Sequence, residues 1–278
     1  MDEAQPDPLP LERNAILVLL LALAAAAWAV LVWQQYNTMD MTMASPAISL
    51  RALLFPAIWV VMMVAMMLPT AAPMILTFHR VQAGKRQLED AFVSTWVFVA
   101  AYLLVWALAG LAAYAGVLAV KTGGVRTAAS TAQVGGVILM AAGIYQLTPF
   151  KELCLSRCRT PIDFITTSWR DGTAGAFRMG VLHGVYCLGC CWLLFVILFP
   201  LGMNFGAMAA VTVIIFAEKT LPWPRLAPYA TAVALVLFGA LVTVSPQLLP
   251  TFPKDGSVGM PEEMPMTMPQ SGNAPAMK

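Results

Sequence analysis

The sequence predicts an all-α fold, a polytopic bundle of transmembrane helices with about seven spans, the N-terminus inside and the C-terminus outside. Three observations carry this expectation. Hydrophobic residues make up 60% of the chain and charged residues only 11%, whereas a soluble domain carries about a quarter charged residues. The apolar residues gather into near-uncharged runs of roughly 20, the length that a hydrocarbon layer about 30 Å thick requires. Lysine and arginine then fall unevenly between the connecting segments, which sets the orientation. The same composition excludes nucleic acid as a partner, because the net charge is only +2 and there is no dense basic run.

The spans follow in order. Residues 1–14, "MDEAQPDPLPLERN", are acidic and lack the positive segment of a signal peptide, so they are expected to be a cytoplasmic leader to an uncleaved first span, Ala15–Trp33. The second span, Ala52–Phe78, holds Pro69 and Pro73 one turn apart, where missing backbone donors can kink the helix and free carbonyls. The third and fourth are Ala91–Val120 and Ser130–Phe150. The fifth, Met179–Pro200, contains Gly180 and Gly184, a small-x-x-x-small pair suited to close helix approach. The sixth, Met203–Ala217, is short and follows a tight "PLGMNFG" turn, so the fifth and sixth are alternatively a re-entrant pair. Leu226–Val244 is the seventh. Residues 15–248 thus form the membrane domain. Residues 249–278 form a Met/Pro-rich outer tail too polar to bury a core and expected to be disordered.

Placing the N-terminus inside assigns Arg13, Arg80, Lys85, Arg86, Lys151, Arg157, Arg159, Arg170, Arg178, Lys219 and Arg225 to the cytoplasm, 11 of 16 basic residues. That excess is the positive-inside bias expected of a bacterial inner-membrane, multi-pass protein.

Sulfur falls into layers under this topology. The first outer loop, "NTMDMTMAS", alternates Met39, Met41 and Met43 around Asp40, and the tail adds Met260, Met264, Met266, Met268 and Met277. Thioethers prefer Cu(I) and survive an oxidising compartment where thiols would pair. A biased tail without function is the plainer alternative. In "VVMMVAMMLPTAAPM", Met62 and Met66 are one turn apart, as are Met63 and Met67, which gives two adjacent sulfur stripes at mid-span. Gap-filling in a buried helix explains such methionines equally well.

All five cysteines lie between 154 and 191. Cys154 and Cys158 share a helical face. Across "HGVYCLGCCW", His183, Cys187 and Cys190 fall within an arc of about 60°, with Cys191 beside it. His183 and Cys191 are nonetheless about 12 Å apart along the axis, too far for one ion. The expected arrangement is therefore a first site of Cys154, Cys158, His183 and Cys187 at the inner interface, with Cys187, Cys190 and Cys191 as a deeper, thiolate-only site. Tyr145 and Gln146 precede the thiol loop, the first as an interfacial anchor or a hydrogen-bonding group, the second as a hydrogen-bonding group.

"WVVMMVAMMLPTAAPM", "YQLTPFKELCLSRCRTP", "HGVYCLGCCW" and "GMN…EK" together resemble an uncharacterised bacterial family of metal-binding integral membrane proteins, a domain of unknown function. The likeness covers about residues 50–225. It implies a helical inner-membrane fold and a bound metal, but no reaction, and it leaves the methionine tail unsupported.

Glu218 and Lys219 end the sixth span, which the charge rule puts at the cytoplasmic surface near the thiol site; ionisable groups deeper in a membrane are costly and usually paired. Either the helix end snorkels to water, or Glu218 orients His183 or takes up protons as thiols bind metal. No nucleotide loop, nucleophile–base pair or multi-histidine centre is present, so binding is expected rather than catalysis. Three functions remain open. One is handling of Cu(I), taken by outer methionines, relayed by Met62, Met63, Met66 and Met67 and received by inner thiolates. Another is a structural zinc site in a membrane scaffold or assembly factor. The third is a thiol oxidoreductase using Cys187, Cys190 and Cys191. The expected partners are the lipid bilayer, the metal ion and a metallochaperone or cuproenzyme.

Overall fold

The computed structural model describes residues 8–37, 48–87, 93–122, 128–223 and 225–245, and every regular element among them is helical. The outer loop with Met39, Met41 and Met43 and the tail methionines lie outside the described residues.

α1 (Pro8–Asn37) is apolar on all sides, so its buried face is chosen by its neighbour rather than by amphipathicity. Leu20, Ala24, Ala27 and Leu31 are buried in the bundle, while Val18, Leu19, Leu21 and Leu23 face outward. α1 packs along α2 (Ile48–Gln87), which keeps Pro56, Pro69 and Pro73 inside the helix. The Thr70 hydroxyl donates to the Met67 carbonyl at 2.9 Å and the Thr77 hydroxyl to the Pro73 carbonyl at 2.7 Å, adding side-chain bonds where proline thins the ladder.

α3 (Thr95–Thr122) packs on α7 (Gly172–Val196). Contact is close enough that a Cβ at Gly180 would strike the Phe98 carbonyl, and one at Gly184 would lie 2.9 Å from Val105. The small-x-x-x-small pair does the packing that its spacing implies. α4 (Ala128–Tyr145) and α9 (Leu226–Val244) meet through Gly136, Gly143 and Gly239 in the same way.

Between them the chain departs from the expected spans. The fourth apolar run stops at Tyr145, because Pro149 disfavours helix at Thr148, which takes φ −75° and ψ 143°. Thr148 then caps a separate helix, α5 (Pro149–Arg159), which is followed by α6 (Pro161–Ser168). After α7 a turn through Gly202 and Met203 leads to α8 (Phe205–Thr220), capped by Asn204, whose Oδ1 accepts from Ala207 N at 2.9 Å. Five helices among the described residues are long and apolar enough to cross a membrane: Leu11–Tyr36, Leu54–Arg86, Thr95–Gly116, Gly172–Val196 and Leu226–Val244. α4 has 18 residues, about 27 Å, and α8 has 16, about 24 Å.

Among the described residues the ion pairs gather at one end of the bundle. Arg86 pairs with Glu12 at 2.6 Å, Arg157 with Asp163 at 3.0 Å, and Lys85 with Asp171. Gln34 and Gln35 of α1, Phe55 of α2 and the turn before α8 mark the opposite end.

Candidate metal centre

α5 is short and carries Lys151, Glu152, Arg157 and Arg159, so it is no membrane span, yet Lys151, Cys154 and Leu155 are buried because this helix lies against α7. Gly189 permits the approach, since a Cβ there would sit 2.7 Å from Cys154 Sγ. Tyr145 donates to the Gly189 carbonyl, tying the end of α4 to the same turn. α5 is also pinned to α8. Lys151 Nζ lies 2.7 Å from Glu218 Oε2, with both side chains no more than 2% exposed, and Lys151 also donates to Gln146. Arg159 reaches the Glu218 carbonyl at 3.0 Å and that of Leu221.

This clamp brings sulfur from two helices together. The Sγ atoms of Cys158, Cys187 and Cys190 all lie within 4.8 Å of one another. Three soft donors at that separation can converge on a single ion after small rotamer changes. Among the described residues no fourth histidine, cysteine or carboxylate joins the group. Cys187 is the best-furnished member. Its Sγ shares a hydrogen bond with the Tyr102 hydroxyl at 3.2 Å and accepts from Lys219 Nζ at 3.1 Å. Lys219, 8% exposed, also donates to the Thr70 hydroxyl at 3.1 Å, so one buried ammonium joins α2, α7 and α8. The Cys158 thiol is held well above its ordinary range, first by hydrogen bonding to Cys187 and Cys190 and then by burial.

The remaining expected ligands stand around this cluster. Cys154 is buried one turn before Cys158 and faces Gly189, and burial raises its thiol above the ordinary range. Cys191 donates to the Cys187 carbonyl at 2.7 Å, one turn back along α7. Thus the first expected site contributes Cys158 and Cys187, the deeper one contributes Cys187 and Cys190, and the two merge. His183 sits apart in an aromatic box, its ring 5.5 Å from Tyr102, 5.9 Å from Phe98 and 5.6 Å from Phe164. Neither ring nitrogen has a hydrogen-bond partner. Glu218 meets Lys151 rather than His183, and its Oε1 is unpartnered.

Met62, Met63, Met66 and Met67 are all at most 1% exposed. Met62, Met66 and Thr70 recur every four residues along one side of α2, and Thr70 carries the bond to Lys219. Lys219, Thr70, Tyr102 and Lys151 join the site without being evident as members of it from the sequence. For Lys219 a signal exists, an ammonium in the last turn of an apolar helix that needs an anionic or polar neighbour once buried. For Tyr102 and Thr70 nothing in the local sequence points to a sulfur on another helix.

A family model described as PpoB2, copper chaperone, matches residues 56–242, more than half of the chain. No curated protein and no solved structure matches. The matched segment contains Cys158, Cys187, Cys190, Lys219 and the four methionines of α2.

Proposed function

We infer the function of this chain from one premise: it belongs to the copper chaperone family PpoB2. It is a membrane protein that carries Cu(I) as cargo, held by the thiolates of Cys158, Cys187 and Cys190. The observation that carries this reading is the convergence of three sulfurs, from α5 and α7, within 4.8 Å. Thiolates favour soft cations, Cu(I) among them, over hard ones. Structural zinc takes four ligands in tetrahedral geometry, and among the described residues the three-sulfur group lacks the fourth.

Met62 and Met66 form the approach to this site. From Met62 to Thr70 the helix advances about 12 Å, and Thr70 shares Lys219 with Cys187. Cu(I) moving from neutral thioethers to charged thiolates gains ligand strength at each step, which draws it toward the thiols. Met63 and Met67 flank this line. Lys219 is the cation that stands beside Cys187 when the ion is elsewhere. With the charged end of the bundle in the cytoplasm of a bacterial cell, the thiols lie toward the inner face, where a metallochaperone or cuproenzyme collects the ion.

Competition with a Cu(I) chelator, using the full-length chain in detergent under reductant, tests the assignment. Cys158→Ser, Cys187→Ser and Cys190→Ser each lose the tight Cu(I), whereas Cys154→Ser keeps it. Tight Cu(I) retained in all three, or stoichiometric zinc in place of copper, overturns it.

A further inference from the structure

At the end of the bundle opposite the charged pairs, α1, α2 and the α7–α8 turn enclose a cleft of about 570 Å³. Three methionines line it, Met62, Met203 and Met208, together with Gln34, Asn204 and Trp59. Met62 and Met208 are buried at 1% and 5% exposure. Neither Met203 nor Met208 belongs to the α2 stripe or to the thiol cluster.

Met203 is also conformationally unusual. Among the described residues it is the one non-glycine with positive φ, at 48°, directly after Gly202 at 81°. Two successive left-handed residues close the turn, and Met203 N donates to the Leu198 carbonyl at 2.8 Å. Glycine or asparagine would adopt this backbone with less strain, and the methionine side chain has no hydrogen-bonding group to offset it. A strained residue lining a cleft points to a use for its side chain. The side chain that methionine supplies is a soft, neutral sulfur.

We propose that this cleft is a second soft-metal site, in which the thioethers of Met62, Met203 and Met208 take up Cu(I) before it reaches Met66. The inference rests on the copper reading above and extends it to the other end of the bundle. Met62 is shared between the cleft and the α2 stripe, so the site is continuous with the route to Thr70 and Lys219. In sequence, Met39, Met41 and Met43 begin four residues after Gln35, which adjoins the cleft.

Ag(I), a redox-inert stand-in for Cu(I), is titrated into the full-length chain in detergent with Cys158, Cys187 and Cys190 replaced by serine. Met203→Gly removes the sulfur at a backbone that glycine tolerates, and Met208→Leu keeps apolar volume. The expected result is about one equivalent of Ag(I) fewer in the doubly substituted chain, with the melting temperature of Met203→Gly unchanged or raised. An unchanged silver count overturns the site. Silver lost together with a lowered melting temperature in both single variants marks the methionines as packing and overturns it as well. Silver lost on cysteine replacement alone reports on the thiol cluster, so failure of the cleft and failure of the copper reading give different results.

Discussion

Replacing Lys151 by methionine perturbs the buried pair that holds α5 against α8. Nζ and Glu218 Oε2 are 2.7 Å apart, and the side chains are 1% and 2% exposed. Removing one member of such a pair leaves the other charge uncompensated, at about 3–5 kcal/mol. A mid-range value shifts the unfolding equilibrium roughly a thousandfold. Replacing both members with apolar residues of similar volume is different, because no charge is stranded. Lys151→Met with Glu218→Leu is expected within about 1–2 kcal/mol of wild type, the difference arising from the Gln146 bond lost with Lys151. The assay is equilibrium unfolding in mixed micelles, followed by tryptophan fluorescence, for both single variants and the double. Because Cys158 rides on α5, the Lys151 variant also binds Cu(I) more weakly, and the double variant regains much of that affinity. A Lys151→Met chain within about 0.5 kcal/mol of wild type rules out a stabilising buried pair, as does a double variant as unstable as the worse single.

The other predictions concern single contacts. His183→Phe removes two buried nitrogens that lack partners and keeps the aromatic packing, so stability is unchanged or raised by about 1–3 kcal/mol, with the copper count intact; loss of copper in that variant makes His183 a ligand. Gly180→Ala drives a methyl into the Phe98 carbonyl and is expected to destabilise by about 1–3 kcal/mol, while Gly84→Ala, with nothing within 4 Å of the new atom, is expected near neutral; equal melting temperatures contradict the packing account. Since the Cys158 thiol lies above its ordinary range, it is protonated in the metal-free chain at neutral pH, and Cu(I) must displace that proton. Apparent affinity therefore falls roughly tenfold per pH unit for each proton displaced as pH drops from neutral, and a pH-independent affinity rules this out.

What is legible in the sequence is set by properties local to the chain. Apolar runs of span length, and glycines at 180 and 184, report on single helices or single faces, and the structure bears out the helical bundle and the close contact of α7 with α3. That Cys154 and Cys158 share a face of one helix, and Cys187 and Cys190 a face of another, follows from the same helical arithmetic, whereas the meeting of Cys158 with Cys187 does not. Three features are not legible, and each depends on chain reversal. The break at Tyr145 turns α5 back across α7, which rotates Cys154 onto Gly189 and leaves Cys158 to meet Cys190 as well. His183 shares a stripe with Cys187 by periodicity, but α3 and α6 bring Phe98, Tyr102 and Phe164 around it instead. Proximity along the chain of spans suggests Glu218 as a partner for His183, whereas a lysine 67 positions away claims its carboxylate.

On the proposal that Cys158, Cys187 and Cys190 grip one Cu(I) between α5 and α7, the ion has sulfur neighbours alone. X-ray absorption at the copper edge of the purified, Cu(I)-loaded chain tests it most directly. The expected spectrum shows an all-sulfur shell that loses one sulfur neighbour in Cys158→Ser and is unchanged in His183→Phe. A nitrogen neighbour that disappears with His183, or a sulfur shell indifferent to Cys158, contradicts it.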